Sequence, residues 1–385
     1  DHNILIVVKH EYNNKIRKWM DFFLNYNKNT KDMAGKNHLV IMAGGIGSRF
    51  WPVSTPEQPK QFIDILGTGS SLLQLTVKRF EHVCDMDHVW VVTSARYKEL
   101  VREQLPLLPE SNILLEPCMR NTAPCIAYAA WKIKKKDASA NIIVSPADHI
   151  VTDVEEFRRV MEEGLLFTAG EDRILTVGMR PFRPETGYGY IKVKEGSGEG
   201  EIREVEGFKE KPDRETAEEY LRAGGYLWNS GIFIWNVATV EKAFRKEQPE
   251  IARIFDELEE CFYTPGEQEV VNRSFPECKN ISIDYAVMEH AHNIYVFPAD
   301  FGWSDLGTWG SLHELSGKDA NRNAVVGEGV RLVECRDCVV RVSPDKPMVL
   351  QGLEGYIVAE HDGVFLICKA VEEQRIKEFS AQLQE

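Results

Sequence analysis

The first half of the chain alternates short apolar runs with longer stretches whose apolar residues recur at helical spacing. The runs are rich in Val and Ile and predict buried strands, and the stretches between them predict amphipathic helices. The predicted strands cover residues 39–42, 89–93, 142–145 and 174–177, and the predicted helices cover residues 71–81, 123–135 and 154–167. This alternation is typical of a doubly wound α/β sheet, in which ligands bind beyond the carboxyl ends of the strands.

The later part of the chain predicts a second, smaller domain. Further strands are expected at residues 188–192, 231–235 and 294–298, with helices between them. After residue 319 the pattern changes to short Val-rich strands at residues 325–333, 339–342 and 356–359, followed by a helix over residues 371–383. We therefore expect a Rossmann-like domain with a mixed sheet at residues 33–318 and a small C-terminal β-rich domain at residues 319–385. The small domain is expected to be similar to a short left-handed β-helix, although its internal repetition is irregular.

Composition limits the partners of this protein. Its 385 residues carry a formal net charge of −14, and 43% of them are hydrophobic, which is ordinary for a globular chain. No apolar run approaches the roughly 18 residues that a membrane-spanning helix needs. The negative charge argues against nucleic acid or an anionic membrane as the main partner. A polyanionic substrate would therefore depend on local positive charge, with a divalent cation such as Mg²⁺ as the natural helper.

The cysteines and the first residues indicate the compartment. Eight cysteines are scattered along the chain, and the apolar run at residues 4–8 is too short for the core of a signal peptide. We therefore expect reduced thiols and a cytoplasmic location. Residues 1–32 are expected to be an extension outside the functional fold. Cys335 and Cys338 form one isolated CxxC motif without a second ligand pair, so we interpret them as part of a β-rich segment rather than as a zinc or redox site.

A glycine-rich turn follows the first predicted strand directly. The sequence is LVIMAGGIGSRFWP at residues 39–52 and PKQF at residues 59–62. The three glycines allow backbone N–H groups to surround a phosphate chain, and Arg49 and Lys60 supply positive charge. The glycines are Gly44, Gly45 and Gly47. These features predict a triphosphate-binding loop, and the alternative is a tight strand-to-helix turn that binds nothing.

Two common phosphate-binding motifs do not fit this turn. A P-loop requires Gly-Lys-Ser/Thr, but Gly47 is followed by Ser48 and Arg49. The dinucleotide-binding motif requires a third glycine at the position that Phe50 occupies. P-loop ATPases and GTPases and nicotinamide-dependent oxidoreductases are therefore disfavoured.

Two carboxylates are candidates for binding a divalent cation. Asp148 follows the predicted strand at residues 142–145, which places it at the carboxyl edge of the sheet near the glycine turn. Asp305 lies among aromatic residues and glycines, which indicates a rigidly held side chain. Two carboxylates together with substrate phosphates are a common way to bind Mg²⁺. The alternatives are an Asx turn or helix cap for Asp148 and the cap of a helix at residues 306–315 for Asp305.

Three further segments carry polar groups suited to a sugar. Residues 183–190 form a polar loop with two glycines and aromatic rings, Lys211 lies in a charged segment, and Asn229 begins a predicted strand. Each segment also has an ordinary structural explanation: a hairpin turn, a solvent-exposed lysine and an amide that closes a turn.

The order of these motifs resembles the mannose-1-phosphate guanylyltransferases, a family of sugar nucleotidyltransferases, over roughly residues 39–385. After the glycine turn the matching motifs are RNTAP at residues 120–124, PADH at 146–149, ETGYGYI at 185–191, EKP at 210–212, WNSG at 228–231, SIDYAVME at 282–289 and WSDLG at 303–307. The glycine turn and Asp148 resemble sugar nucleotidyltransferases in general, whereas PKQF, ETGYGYI and SIDYAVME point to the mannose and guanine member.

The resemblance implies a role for each matching position. The residues that act on the phosphates would be Arg49, Lys60 and Lys211, and the metal carboxylates would be Asp148 and Asp305. The residues that bind the nucleotide would be Gly44, Gly45, Gly47, Glu116, Asn121, Thr122 and Ala147. The residues that bind the sugar would be Gly187, Tyr188, Glu210, Asn229 and Asp284.

The resemblance also implies a reaction. GMP would pass from GTP to mannose 1-phosphate by Mg²⁺-assisted in-line attack without a covalent intermediate. The expected partners are these two substrates, without nucleic acid or membrane, and a second copy of the chain in a homodimer. Two alternatives remain: a nucleotidyltransferase for another base or sugar, such as glucose 1-phosphate, and a non-catalytic sugar-nucleotide sensor, which usually lacks a catalytic lysine or metal carboxylate.

Overall fold

The computed structural model describes residues 37–198 and 200–383. The extension predicted at residues 1–32 lies outside these ranges. The first eleven strands are β1 (Asn37–Ala43), β2 (Val89–Ser94), β3 (Ile113–Glu116), β4 (Asn141–Pro146), β5 (Ile150–Val151), β6 (Ile174–Met179), β7 (Tyr190–Val193), β8 (Arg203–Lys209), β9 (Tyr226–Asn236), β10 (Ile294–Ala299) and β11 (Trp303–Ser304). The first nine helices are α1 (Leu72–Arg79), α2 (Lys98–Gln104), α3 (Thr122–Lys136), α4 (Val154–Thr168), α5 (Arg214–Ala223), α6 (Val237–Glu247), α7 (Pro249–Glu259), α8 (Glu267–Ser274) and α9 (Trp309–Leu315).

Nine of these strands form one mixed sheet in the order β3-β2-β1-β4-β9-β6-β10-β8-β7. β1 pairs in parallel with β2 and β4, and β9 runs antiparallel between β4 and β6. Because side chains alternate between the two faces of a strand, Val40 and Val144 pack under α3, α6 and α7, whereas Leu39 and Ile143 pack under α1 and α4. Helices on both faces of a mixed sheet confirm the predicted Rossmann-like, doubly wound α/β architecture.

The carboxyl ends of four parallel strands determine where the site lies. β1, β2, β3 and β4 are mutually parallel neighbours, so their carboxyl ends share one edge of the sheet. β1 ends at the glycine turn, β3 ends at Glu116, and β4 ends at Pro146, two residues before Asp148. The edge therefore brings together three segments that are distant in sequence.

The C-terminal residues form a stack of short strands. They comprise β12 (Ala324–Val326), β13 (Val330–Val333), β14 (Val339–Arg341), β15 (Met348–Gln351), β16 (Tyr356–His361) and β17 (Val364–Lys369), followed by helix α10 (Ile376–Ala381). β12, β14 and β16 pair in parallel, as do β13 and β15, and the intervening segments are too short for helical crossovers. The chain therefore winds in coils, which agrees with the predicted β-helix-like region. The exact domain boundaries stay a prediction.

Several predicted elements differ in detail from the observed ones. The strand predicted over residues 325–333 is interrupted at Gly327 and Gly329, whose φ angles are +136° and +72°. The helix predicted over residues 371–383 begins as a 3₁₀ helix at Ala370–Arg375 and becomes α-helical only in α10. Glycines with positive φ end regular strand geometry, which explains the first difference.

Cys335 and Cys338 lie in the interior of this coil. Cys335 Sγ is 3.5 Å from the carbonyl oxygens of Val333 and Leu350, and both thiols are free. They belong to the β-rich segment, as predicted. Of the helices within the described ranges, none combines the length and apolarity that crossing a bilayer requires.

Candidate active site

The glycine turn and the Lys60 loop are locked together at Gly47. Gly47 has a φ of +71°, and a Cβ at this position would lie 2.5 Å from Lys60 Cβ. The Lys60 amide donates to the carbonyl of Ile46 (3.2 Å), which also accepts a hydrogen bond from Ser54 Oγ. Only glycine meets both requirements at position 47, so the glycine turn brings Lys60 close to the 3₁₀ turn Ser48–Phe50 that carries Arg49.

Lys60 is buried and bonded within the protein. Its ammonium lies 2.9 Å from Oδ2 of Asp148 and donates to the carbonyl oxygens of Asp305 (3.0 Å) and Leu306 (2.8 Å). Only 4% of Lys60 is exposed. Sequence reasoning placed Lys60 against the triphosphate, and the structure places its charge between the segments that carry the two predicted metal carboxylates.

The Asp148 carboxylate is held in its ionised form. Burial alone would raise its pKa, but Lys60 and His149 outweigh burial and lower the pKa below its ordinary value. His149 Nε2 lies 3.9 Å from the other carboxylate oxygen, and Trp303 Nε1 donates to His149 Nδ1 (3.2 Å). His149 belongs to the PADH motif, but the sequence alone assigned it no role.

Asp305 lies in a tight segment between β11 and α9. Its Oδ1 accepts hydrogen bonds from the Tyr188 hydroxyl (2.6 Å) and the Gly307 amide (3.0 Å). Burial, reinforced by Asp305, raises the pKa of Tyr188, so the phenol remains a donor. The alternative that Asp305 caps the following helix is wrong, because Thr308 Oγ1 is the group that accepts from the Ser311 amide.

Two cavities open on this edge and share a wall. The larger cavity, of about 750 Å³, is lined by the exposed Arg49, by Arg183 and by Glu373. The smaller cavity, of about 220 Å³, is lined by Glu210, Asn229 and Asp284. The residues common to both cavities are Gly187, Tyr188, Lys211 and Asp305. The predicted sugar-side residues therefore adjoin Arg49 and Lys211 of the predicted phosphate-side set, whereas Lys60 and Asp148 line neither of these two cavities.

The smaller cavity contains a hydrogen-bonded carboxylate and amide network. Asn229 Nδ2 donates to Asp284 Oδ1 (3.0 Å), and Asn229 Oδ1 accepts from Thr176 Oγ1 (3.0 Å). Burial is the main cause that raises the pKa of Asp284, and the charge of the nearby Glu210 is the second. Lys211 Nζ donates to Glu210 Oε1 (2.6 Å), while 56% of the lysine side chain remains exposed. Lys211 is thus available to an anion in either cavity.

The predicted nucleotide-side residues lie around the ends of β1 and β3. Glu116 is 7% exposed, and within the described residues its buried Oε1 has no hydrogen-bond partner. A Cβ at Gly44 would lie 3.9 Å from Glu116 Oε2. Burial raises the pKa of Glu116 to about 7, although Cys125 offsets part of this increase. The Oε1 atom of this carboxylate, beside the glycine turn, is therefore available to accept a hydrogen bond.

The other nucleotide-side positions contribute backbone and capping contacts. Asn121 Oδ1 accepts from the Thr122 amide at the start of α3, and Thr122 Oγ1 accepts from the Ile283 amide (2.8 Å). Thr122 lines the smaller cavity. Ala147 is buried, and its amide donates to the Met42 carbonyl (3.1 Å). These contacts join the PADH and RNTAP motifs to the walls of the site.

Three residues near the site were not identified from the sequence. Arg79 is buried and donates to the backbone carbonyl of His149 and to Thr76 Oγ1. Arg183 and Glu373 line the larger cavity. Arg183 lay in a loop already singled out, whereas no local signal marked Glu373. Among the residues that the structure describes, there is no cluster of three or more His, Cys, Asp or Glu side chains that could bind a metal.

Comparisons with known proteins identify the family. Residues 38–322 match the nucleotidyl transferase family. Xanthan biosynthesis protein XanB of Xanthomonas campestris pv. campestris (strain B100) is 36% identical over 347 residues, 89% of this chain and 72% of that protein. A mannose-1-phosphate guanylyltransferase of Salmonella montevideo is 40% identical over 297 residues, 75% of this chain and 62% of that protein.

A solved structure agrees with these sequence matches. The Thermus thermophilus protein described as a mannose-1-phosphate geranyltransferase superposes with a TM-score of 0.82 at 31% identity, and the match covers 91% of this chain and 100% of that one. The β-rich C-terminal region is thus part of the shared architecture. The chain therefore belongs to the nucleotidyl transferase family and is a sugar nucleotidyltransferase.

Proposed function

We propose that this enzyme transfers GMP from GTP to α-D-mannose 1-phosphate, which gives GDP-mannose and pyrophosphate. The observation that carries the proposal is that the two cavities meet at Tyr188, Lys211 and Asp305. A sugar phosphate in the smaller cavity and a triphosphate reaching past Arg49 into the larger one would bring their phosphates together there. The names of the Salmonella relative and the Thermus structure support mannose 1-phosphate as the acceptor.

The reaction requires neither a nucleophile nor a general base from the protein. A phosphate oxygen of mannose 1-phosphate attacks the α-phosphorus of GTP and forms the new P–O bond. The bond from the α-phosphorus to the bridging oxygen breaks, and pyrophosphate leaves with the electron pair. Because the attacking phosphate is already an anion, no proton has to be removed. Arg49 and Lys211 oppose the repulsion between the two polyanions.

Asp148 and Asp305 suit a Mg²⁺ ion. Mg²⁺ commonly takes one or two carboxylates from a protein and completes its coordination with water and substrate phosphates. Asp148 is ionised beside Lys60, and Tyr188 and Gly307 fix the orientation of Asp305. Bound by these carboxylates and the phosphates, the ion would offset negative charge on the triphosphate. Lys60 would hold the Asp148 carboxylate and the Asp305 backbone in a fixed relative position.

Glu116 supports the choice of guanine. Guanine presents two adjacent donors, N1–H and the exocyclic amino group, whereas adenine presents an acceptor at N1. The buried Glu116 carboxylate, whose Oε1 has no partner among the described residues, can accept both guanine donors, which would satisfy that oxygen. Adenine can donate only from its 6-amino group and would set its N1 acceptor against the carboxylate, so the same carboxylate would select against ATP.

Initial rates of pyrophosphate release test this proposal. We expect turnover with GTP and mannose 1-phosphate to exceed that of every other pairing of GTP, ATP, UTP or dTTP with mannose 1-phosphate or glucose 1-phosphate. A different preferred pair would retain the nucleotidyltransferase reaction and overturn the assigned substrates.

We also propose that the protein is cytoplasmic, forms a homodimer and binds neither nucleic acid nor a membrane. All eight cysteines are free, which suits a reducing compartment. Strand β17 lies at the edge of its sheet and exposes Phe365 and Ile367, which are 55% and 59% accessible. A second copy of the chain that packs against this exposed edge would cover it. Light scattering should give twice the chain mass, and a monomer would contradict this assembly.

A further inference from the structure

One segment contacts three of the groups that the proposed reaction depends on. This segment, residues 304–310, is called the Asp305 segment. Its Asp305 and Leu306 carbonyl oxygens accept from Lys60 Nζ, its Asp305 carboxylate accepts from Tyr188, and Trp309 Nε1 donates to the Arg49 carbonyl (3.0 Å). The position of this segment therefore sets the positions of a predicted metal carboxylate and of two cations.

The Asp305 segment holds an unfavourable backbone conformation. Leu306 has a φ of +45°, which is uncommon for a residue with a side chain, and it is fully buried. In this conformation its carbonyl accepts a hydrogen bond from Lys60. Such a conformation persists only where the surrounding structure holds it in place. The contacts on the other side of the segment are therefore relevant to the chemistry.

The C-terminal region supplies those contacts. Leu306 and Trp309 belong to one buried cluster with Ile357, Leu366 and Ile376, which come from β16, β17 and α10. Phe50, next to Arg49, is in the same cluster, and its ring centroid lies 5.1 Å from that of Trp309. The outer side of the Asp305 segment therefore packs directly on the coil that follows it in sequence.

A polar contact accompanies this apolar packing. Glu373 Oε2 accepts a hydrogen bond from the amide of Gly310 (2.9 Å), at the start of α9. The first amides of a helix have no partner within the helix, and a carboxylate at this end is favourable. Thr308 Oγ1 accepts from the next amide, that of Ser311. Glu373 and Thr308 thus fix adjacent amides at the end of the Asp305 segment.

We propose that Glu373 is a positioning residue for the reaction. Through Gly310 it holds the Asp305 segment at the junction of the two cavities, so that the C-terminal region is a working part of the active site. This inference rests on the proposed roles of Asp305 and Arg49. Glu373 also lines the larger cavity, but the role proposed here is exercised through the backbone amide of Gly310. Its loss should lower the rate of the bound complex more than it weakens binding.

Three variants of the full chain separate this role from general stability. Glu373→Ala removes the acceptor, Glu373→Gln keeps an acceptor oxygen without the charge, and Glu378→Ala removes a matched carboxylate that pairs with Arg375 on the surface. Glu373→Ala should lower kcat about tenfold with both KM values within about twofold. Glu373→Gln should recover most of kcat, and Glu378→Ala should match the unmodified enzyme.

Hydrogen exchange of the Asp305 segment gives a readout that does not depend on activity. Its amides should exchange faster in Glu373→Ala than in the unmodified chain or in Glu378→Ala. Unchanged kcat or unchanged exchange in Glu373→Ala, or equal losses in the Ala and Gln variants, would overturn the inference. If the unmodified chain does not transfer GMP to mannose 1-phosphate, the proposed function fails, and the exchange comparison still decides whether Glu373 positions the segment.

Discussion

The ammonium of Lys60 lies 2.9 Å from the carboxylate of Asp148 and bonds at the same time to the backbone of Asp305. One buried lysine thus connects the two residues proposed to bind Mg²⁺, although they are far apart in sequence. A cation in this place keeps Asp148 ionised and fixes the backbone at Asp305, whose carboxylate is oriented by Tyr188 and Gly307.

Replacing either carboxylate should abolish most activity. Asp148→Asn and Asp305→Asn each retain the shape of the side chain but remove the negative charge, so turnover should fall at least about a hundredfold. Pyrophosphate release at saturating Mg²⁺ measures the effect, and thermal melting checks the fold. Asp300→Asn, at an exposed nearby position, is the control. Rates like those of the unmodified enzyme in both variants would exclude these carboxylates as metal ligands.

Glu116 should determine the choice of base. Glu116→Gln leaves one acceptor and adds donors that can pair with adenine. The value of kcat/KM for GTP should therefore fall roughly 5- to 150-fold, which corresponds to a loss of about 1–3 kcal/mol of transition-state stabilisation. The ratio of kcat/KM for GTP to that for ATP should fall with it. Competition between the two nucleotides in one reaction measures this ratio directly, and an unchanged ratio would show that Glu116 does not contact the base.

The same residue predicts a pH dependence. The pKa of Glu116 is raised to about 7, and only the deprotonated carboxylate accepts both guanine donors. The value of kcat/KM for GTP should therefore rise as the pH increases through about 7, since this parameter reports the free enzyme. The rise should be absent in Glu116→Gln. A profile that is equally steep in both proteins would assign the titration to another group.

Gly47→Ala should disrupt the link between the glycine turn and Lys60. The substitution places a Cβ 2.5 Å from Lys60 Cβ at a φ of +71°, so the free energy of unfolding should fall by about 2 kcal/mol and turnover should fall with it. Gly317→Ala is the matched control, because a Cβ at that position would have no neighbouring atom within 4 Å and the φ is not positive. Denaturant unfolding compares the two, and equal stability would contradict this account.

Local sequence patterns predicted the central strands and the glycine turn well. β1 and β4 are uniformly apolar through their centres, and Gly47 is the residue that the turn geometry requires. β3 and β8 were missed, because β3 is short and ends in Glu116, and β8 lacks a regular apolar alternation. These strands are set by pairing with their neighbours rather than by local preference.

The motif resemblance placed the candidate residues, but their pairing depends on distant contacts. Asp305 was compatible with a helix cap until the structure showed that Thr308 caps the helix and that Tyr188, 117 positions earlier, holds Asp305. Glu373 meets Gly310 across 63 positions and lies in a segment without any motif. The Glu373 contact arises from the packing of the C-terminal coil on the Asp305 segment, and neither contact is encoded by a local pattern.

The most direct test of the central claim compares GTP alone with GTP and mannose 1-phosphate on the purified enzyme with Mg²⁺. Direct attack by the sugar phosphate predicts GDP-mannose and pyrophosphate in equal amounts when both substrates are present, and no pyrophosphate from GTP alone. A burst of pyrophosphate from GTP alone, equal in amount to the enzyme, would indicate a covalent nucleotidyl intermediate and contradict the mechanism, and the absence of GDP-mannose would contradict the proposed reaction.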